Sequence, residues 1–244
     1  MSEQPKNSLR GHREPNQRSL RVGELIRHTL VDIFARGELR DPDLVGITAM
    51  TPTVHGALEA ARLAKLQGRK TVIGGVHMSI YAEETLSYDE VDFGIVGEGE
   101  ETIVELCSAL EGGRDYSSIE GLCYKRDDGF ISISGPRIVK DLTNLPMPSY
   151  HLLPMQKYSS IIGMKPVSTM MGSRGCPYKC GFCFKTPSDE KYRTRNAVNI
   201  VDEIEYLYKE FGIEEFLIVD DNFTFDRDRT QEICEEILAR KLDI

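Results

Sequence analysis

Long hydrophobic runs are missing from this chain of 244 residues; no apolar stretch approaches the roughly 18 residues that a membrane-spanning helix needs. The first eleven residues are polar and lack the apolar stretch of a secretory signal, so a reducing cytoplasm is the expected compartment. Histidine is scarce, and none follows His151. Without a second close cysteine pair, a structural zinc site of the usual two-pair kind is excluded. A disulfide framework is equally out of place, because such frameworks belong to small secreted chains. Positive charge is in deficit too. The net charge is −9, and residues 1–40 carry +3 of it, from eight Lys and Arg against five Asp and Glu. The remaining 204 residues therefore stand at −12, which argues against nucleic acid as a partner of the main body.

What is present is an ordinary globular composition, 40% apolar and 28% charged, with material for one large or two small domains. Residues 1–18 hold hardly an apolar residue and read as a disordered tail. Ser19 is a candidate helix cap, and Val22, Leu25, Ile26, Leu30 and Ile33 recur at helical spacing up to Gly37. From Leu44 short apolar strands alternate with helices: strands over 45–50, 71–75 and 91–96, and helices over 57–66, around 83–86 and over 102–110. That alternation predicts a parallel α/β sheet, with ligands outside the carboxyl ends of its strands. Thr48, Ala49, Met50 and Thr51, then Gly74, Gly75 and His77, then Gly97, Glu98 and Gly99, fall at those ends. Glycine there is expected to let the backbone approach a bulky ligand.

Residues 118–135 read as a hairpin about Asp127-Asp128-Gly129, and 136–165 as a proline-stiffened linker. A second βα series starts at Pro166, with strands over 167–171 and 215–219, a helix over 198–211 and a last helix from Arg229. Between its first strand and first helix lies Cys176-Pro-Tyr-Lys-Cys180-Gly-Phe-Cys183, a C-x3-C-x2-C run. Thiolates are the usual ligands of iron–sulfur clusters, and three of them leave one iron of a four-iron cubane open. Cys107, Cys123 and Cys234 stand singly in apolar patterns and read as small buried hydrophobes.

The cysteine run, with Phe182 just before its last cysteine, resembles the signature of the radical S-adenosylmethionine (radical SAM) enzymes. The three strand-end phrases, Val45-Gly-Ile-Thr-Ala-Met-Thr-Pro52, Gly74-Gly-Val-His77 and Val96-Gly-Glu-Gly-Glu-Glu101, resemble the cobalamin-binding domain that precedes many of them. The D-x-H-x-x-G motif for histidine ligation of cobalt is absent, so His77 reads as a loop contact. The head, Gln17-Arg-Ser-Leu-Arg-Val-Gly-Glu-Leu-Ile-Arg-His-Thr-Leu30 followed by Arg36-Gly-Glu-Leu-Arg-Asp-Pro-Asp-Leu44, resembles the start of ribosome-binding factor A.

These resemblances imply an α/β protein with a partial Rossmann-like cobalamin-binding sheet over 45–135. The first two βα repeats of an incomplete radical SAM barrel would follow over 166–244. They imply a 4Fe-4S cluster on Cys176, Cys180 and Cys183, with S-adenosylmethionine chelating the open iron. Asp220, Asp221 and Asn222, after the second barrel strand, would help hold that cosubstrate, whereas Lys185, Arg193 and Arg195 read as solvated charges. The implied reaction reduces the cluster, cleaves S-adenosylmethionine to a 5′-deoxyadenosyl radical, and uses methylcobalamin for methyl transfer or related carbon-radical chemistry. A flavodoxin or ferredoxin would be the reductant, and the substrate would be a small molecule or a lipid- or tetrapyrrole-like one. Two sheet units and most of the barrel have no counterpart, so an inactive internal fragment in a chimeric reading frame is expected. The alternatives are a cobalamin- or cluster-binding module without turnover, and a ribosome-associated protein acting through the helix over 19–44.

Overall fold

A computed structural model describes residues 44–158, 166–186 and 189–244. The head resembling ribosome-binding factor A, with its expected tail and helix, lies outside the described residues.

Strands β1 (Leu44–Thr48), β2 (Lys70–Gly74) and β3 (Phe93–Ile95) pair in parallel and in chain order. β2 and β3 are short and apolar because both faces are covered: Thr71, Val72 and Ile73 of β2 and all of β3 are buried, whereas β1 alternates with exposed Gly46 and Thr48. Helix α1 (Val54–Leu66) crosses from β1 to β2. Its buried Ala57, Ala60, Ala61 and Ala64 form one stripe of small side chains at helical spacing. Helices α2 (Val76–Ile80) and α3 (Ala82–Ser87) join β2 to β3, and α4 (Glu100–Glu111) follows β3. The hairpin takes the form of β4 (Leu122–Lys125) and β5 (Ile131–Ile133), and it extends the sheet antiparallel from β3, giving the order β1-β2-β3-β4-β5. Among the described strands β1 pairs with β2 alone.

Two differences from expectation concern His77 and the single cysteines. The stretch after Gly75 is a helical turn, not a loop, so His77 lies in α2 and is buried. Cys234 is exposed and Cys107 half-buried; of the three single cysteines only Cys123 is buried as expected.

Strand β6 (Val167–Met170) pairs in parallel with β9 (Glu215–Ile218), and helix α5 (Ala197–Phe211) lies between them in the chain. Asn196 caps α5 by accepting from Asn199 N–H at 2.8 Å, and Gly212 ends it in the left-handed conformation. Its buried face is Ala197, Ile200, Val201, Ile204 and Leu207, with Glu203 among them. Val198, the first residue of the helix expected over 198–211, is exposed, because the helix begins a residue earlier and sets its phase by Ala197 and Ile200. Met170, Ile200, Val201 and Ile204 pack with Ile233 of α6 (Arg227–Ala239) into a second core. A short antiparallel ladder, β7 (Ser173–Arg174) with β8 (Arg193–Thr194), closes the neck of the cysteine loop.

Candidate cofactor sites

The cysteine loop leaves the core at Gly172 and returns at Arg195. Its root is held by buried polar groups. Asp220, whose side chain is wholly buried, accepts from Gly172 N–H at 2.7 Å and from Ser173 Oγ at 2.6 Å. Buried Arg229 donates to the Gly172 carbonyl at 2.8 Å and stands 3.6 Å from Asp220. On the other strand, Arg195 donates to the Met171 carbonyl at 3.0 Å, and its guanidinium is ion-paired with Glu203. Tyr150 donates its hydroxyl to that same carboxylate, and burial first, then Glu203, pushes the phenol well above its usual range. Tyr150 belongs to the proline-stiffened linker, so the linker is tied to the barrel-like half by a buried charge network.

Beyond the root the loop is open. Phe182 is 94% exposed, and Phe184 and Tyr178 are exposed as well. Cys176, Cys180 and Cys183 all line one cavity of about 450 Å³, with Lys185 and Glu190 on its rim. The Lys185 ammonium donates to the carbonyls of Cys176 and Tyr178 and so staples the loop to itself. Cys183 N–H donates to the Cys180 carbonyl at 3.1 Å, a turn that turns both residues toward one region. Among the described residues no group of three or more His, Cys, Asp or Glu side chains is gathered closely enough to grip a metal ion. The donor set suits an iron–sulfur cluster: three thiols, one cavity, exposed enough to be reached.

The strand-end loops differ. Ala49 N–H donates to Gly74 O at 2.9 Å, His77 N–H donates to Ala49 O at 3.1 Å, and the His77 ring meets Thr51 Oγ1 at 3.2 Å and Tyr81 at 5.1 Å between centroids. Gly75 has φ 96°, and a Cβ there would lie 2.6 Å from Ala49 O. Gly97, at φ 85°, would drive a Cβ into the backbone of Arg137. The space above these two glycines is therefore filled by the chain's own backbone, not left open for a ligand as the sequence suggested. What the loops do present is an apolar shelf: Met50, Val76, Ile80 and Tyr81 are all exposed around Thr51 and the buried His77. Such a shelf suits one face of a large flat ligand.

Several expected side-chain roles change in this geometry. Both oxygens of Asp220 are engaged at the loop root and its side chain is wholly buried, so it braces the fold and offers no exposed oxygen to a cosubstrate ammonium. Asp221 is exposed, and Asn222 opens a 3-10 turn at Phe223–Phe225. Arg193 and Arg195 are half-buried ion-pair partners, and Lys185 is the loop's staple; none is a solvated charge. Glu98 accepts a two-toothed fork from Arg193, with both N–O distances 2.8 Å, and also Val139 N–H at 2.6 Å. Glu100 accepts from Arg174 at 2.5 Å. Burial pushes the Glu100 carboxyl up, but the hydrogen bond and charge of Arg174 outweigh it and hold the group below its ordinary value. One sequence signal could have revealed the network beneath the root: Glu203 stands between Ile200 and Leu207 on an apolar helix face, and a charge there demands a buried partner. Nothing in the sequence marks Arg174, Arg193 or Arg229 in the same way.

With this geometry in hand, comparison with known proteins separates the two halves. The B12 binding domain family matches residues 23–107, a span that begins inside the head, and the Radical SAM superfamily matches residues 170–244. An uncharacterized methyltransferase of Pyrococcus horikoshii is 36% identical over 209 residues, which is 84% of this chain and 45% of that protein. The anaerobic magnesium-protoporphyrin IX monomethyl ester cyclase of Rubrivivax gelatinosus is 32% identical, over 83% of this chain and 38% of its own length. The chain thus spans less than half the length of these relatives. The solved radical SAM methyltransferase TsrM of Kitasatospora setae, with cobalamin and a 4Fe-4S cluster bound, superposes with a TM-score of 0.65 at 22% identity, covering 91% of this chain and 44% of that one.

Proposed function

This chain belongs to the proteins that join a B12-binding domain to a radical SAM domain, and on that premise we propose that it forms the cofactor-holding part of a cobalamin-dependent radical SAM enzyme. The division we propose is a cobalamin-binding half over 45–135, a linker over 136–165 and a radical SAM half over 166–244. The observation that carries the reading is the cysteine loop: three thiols and no fourth, lining one cavity at the end of a parallel βα strand.

When bound, the cofactors supply an electron that cleaves S-adenosylmethionine to a 5′-deoxyadenosyl radical, and a methyl group carried by cobalamin. This chain's residues bind and orient. Cys176, Cys180 and Cys183 would hold three irons of the cluster. Phe182, almost wholly exposed beside them, would supply an apolar neighbour to the cluster. Met50, Val76, Ile80 and Tyr81 would form the shelf for the corrin, with Thr48, Ala49, Thr51 and the buried His77 supporting it from beneath. Gly74, Gly75, Gly97, Glu98 and Gly99 set the loops that shape it. Asp221 and Asn222 are the candidates left for the cosubstrate's amine or ribose. Methyl transfer, or a related carbon-radical reaction, on a small, lipid-like or tetrapyrrole-like substrate is the proposed outcome, with a flavodoxin or ferredoxin as reductant in a reducing cytoplasm. Among the described residues no helix is long and apolar enough to cross a membrane.

Anaerobic reconstitution of the chain with iron and sulfide, followed by hydroxocobalamin, tests the reading. The expected product is brown, with about four irons per chain, takes up one cobalamin, and cleaves S-adenosylmethionine when reduced. A colourless protein, or one that takes a single zinc instead, defeats it.

A further inference from the structure

Glu98 stands in the loop that follows β3 and Glu100 opens α4, both within the span matched by the B12 binding domain family. Arg174 and Arg193 stand opposite each other in the β7–β8 ladder, at the neck of the cysteine loop. The two pairs meet. Arg193 forks onto Glu98, and both side chains are only 10% exposed. Arg174 reaches Glu100 at 2.5 Å and Glu98 at 3.5 Å. Between them runs the backbone of Val139, held from both sides: its N–H donates to Glu98, and its carbonyl accepts from Arg193. Gly97 pairs with Arg137 in the same place, and Glu98 N–H donates to the Arg137 carbonyl at 2.9 Å.

We propose that this four-residue clasp consists of positioning residues that fix the cobalamin-side loops relative to the cluster loop, and so set the separation between the two cofactors. The proposal rests on the reading above for what the loops hold, but not for the clasp itself. One planar fork, Arg193 on Glu98, braced by the single contact of Arg174 with Glu100, is suited to the task. A bidentate arginine–carboxylate contact fixes direction as well as distance, which a single lysine contact does not. The partial burial of Glu98 and Arg193 matters for the same reason, because an exposed pair would be screened and mobile. A ligand-binding role for Glu98 is the competing idea. Its oxygens are already engaged by Arg193 and Val139, which leaves it little to offer a ligand.

The test uses the full chain in two states. In the unloaded state, amide hydrogen exchange is followed in residues 96–101 and 191–195 for Glu98→Arg, Arg193→Glu and the double exchange of the two. Each single variant is expected to speed exchange on both sides of the clasp by about tenfold or more, the size of a lost buried pair coupling, with the amides of β2 and α5 unchanged. The double variant is expected to return most of that protection. In the loaded state, pulsed electron paramagnetic resonance reads the separation between Co(II) and the reduced cluster. A single, narrow separation is expected for the unaltered chain and a broadened one for Arg193→Lys, which keeps the charge and loses the fork, at equal iron and cobalt contents. Unchanged exchange across the clasp, or an unbroadened separation in Arg193→Lys, overturns the proposal. Should the unaltered chain take up neither cofactor, the functional reading fails, while the exchange result still decides whether the clasp holds the two loops.

Discussion

The two sets of loops proposed to hold cofactors are built in opposite ways. At the ends of β1, β2 and β3 the loops are tied to one another by backbone hydrogen bonds, and the space over Gly75 and Gly97 is occupied by neighbouring backbone. The cysteine loop has a rigid root and a soft tip. Asp220, Arg229 and Glu203 have their side chains buried beneath it, with Arg195 half-buried beside them, while Phe182, Phe184 and Tyr178 stand in solvent. The contrast follows from what each loop is asked to receive. A large flat ligand gains from a shelf that exists before it arrives, since preorganisation avoids an ordering cost at binding. A metal cluster supplies its own ordering energy through several thiolate bonds, so its loop can stay open until it loads.

The largest effect that would break this comparison lies at the tip. Cys180→Ala is expected to reduce reconstituted iron from about four per chain to near none, read by iron assay and by loss of the brown chromophore. The thermal midpoint of the unloaded protein should not move, because Cys180 is exposed. Iron retained in full would show that the thiols do not act as a set.

Next in size is the root. Glu203 is 1% exposed and partners both Arg195 and the Tyr150 hydroxyl. Glu203→Leu leaves the Arg195 charge buried without its carboxylate, a change that costs about 3–5 kcal/mol, measured by urea unfolding of the unloaded chain. Tyr150→Phe removes one hydrogen bond and should cost only about 1–2 kcal/mol. If Glu203→Leu proved neutral, the root would be no stiffer than the tip.

How far the sequence reached depends on the same contrast. The strands β1 to β3 and the helices between them could be read because their patterns are local: apolar runs ending in glycine, and alanines at 57, 60, 61 and 64 on one face. The cysteine spacing could be read because its three thiols lie within eight residues. The pairings of Glu98 with Arg193 and Asp220 with Arg229 could not, since each partner looks like an ordinary surface charge in its own segment and only the fold brings the two together. The same limit misplaced Asp220, whose position after a strand suggested a ligand contact. Gly97 shows the limit from another side, because its close neighbour is Arg137, some forty residues away in the chain.

Gly97 also sharpens the comparison directly. Gly97→Ala must seat a Cβ against Arg137's backbone at a positive φ, and a loss of about 1–3 kcal/mol is expected. Gly181, on the cysteine loop, has nothing within 4 Å of its would-be Cβ, and Gly181→Ala should stay within about 0.5 kcal/mol of the parent. Paired urea titrations measure both. Equal losses at the two positions would erase the distinction between a prebuilt shelf and an open loop.

The smallest expected effect separates the clasp from both. The Glu100 carboxyl lies below its ordinary value of 4.5, with burial opposing the shift and Arg174 imposing it. A carboxyl lowered in the folded state contributes stability that is fully present above its unfolded value and is lost as pH falls through its folded one. The gap in stability between the parent and Glu100→Gln should therefore be constant from about pH 8 to pH 6 and shrink as the pH drops below the ordinary carboxylate range. Because 38% of the side chain is exposed, solvent screening holds that gap to about 1 kcal/mol or less. Urea midpoints of the two proteins across that range give the measurement. A gap that widened in acid would mean that Glu100 is held protonated in the fold, and the Arg174 side of the clasp would then be a neutral hydrogen bond, too weak to orient the neck of the cysteine loop.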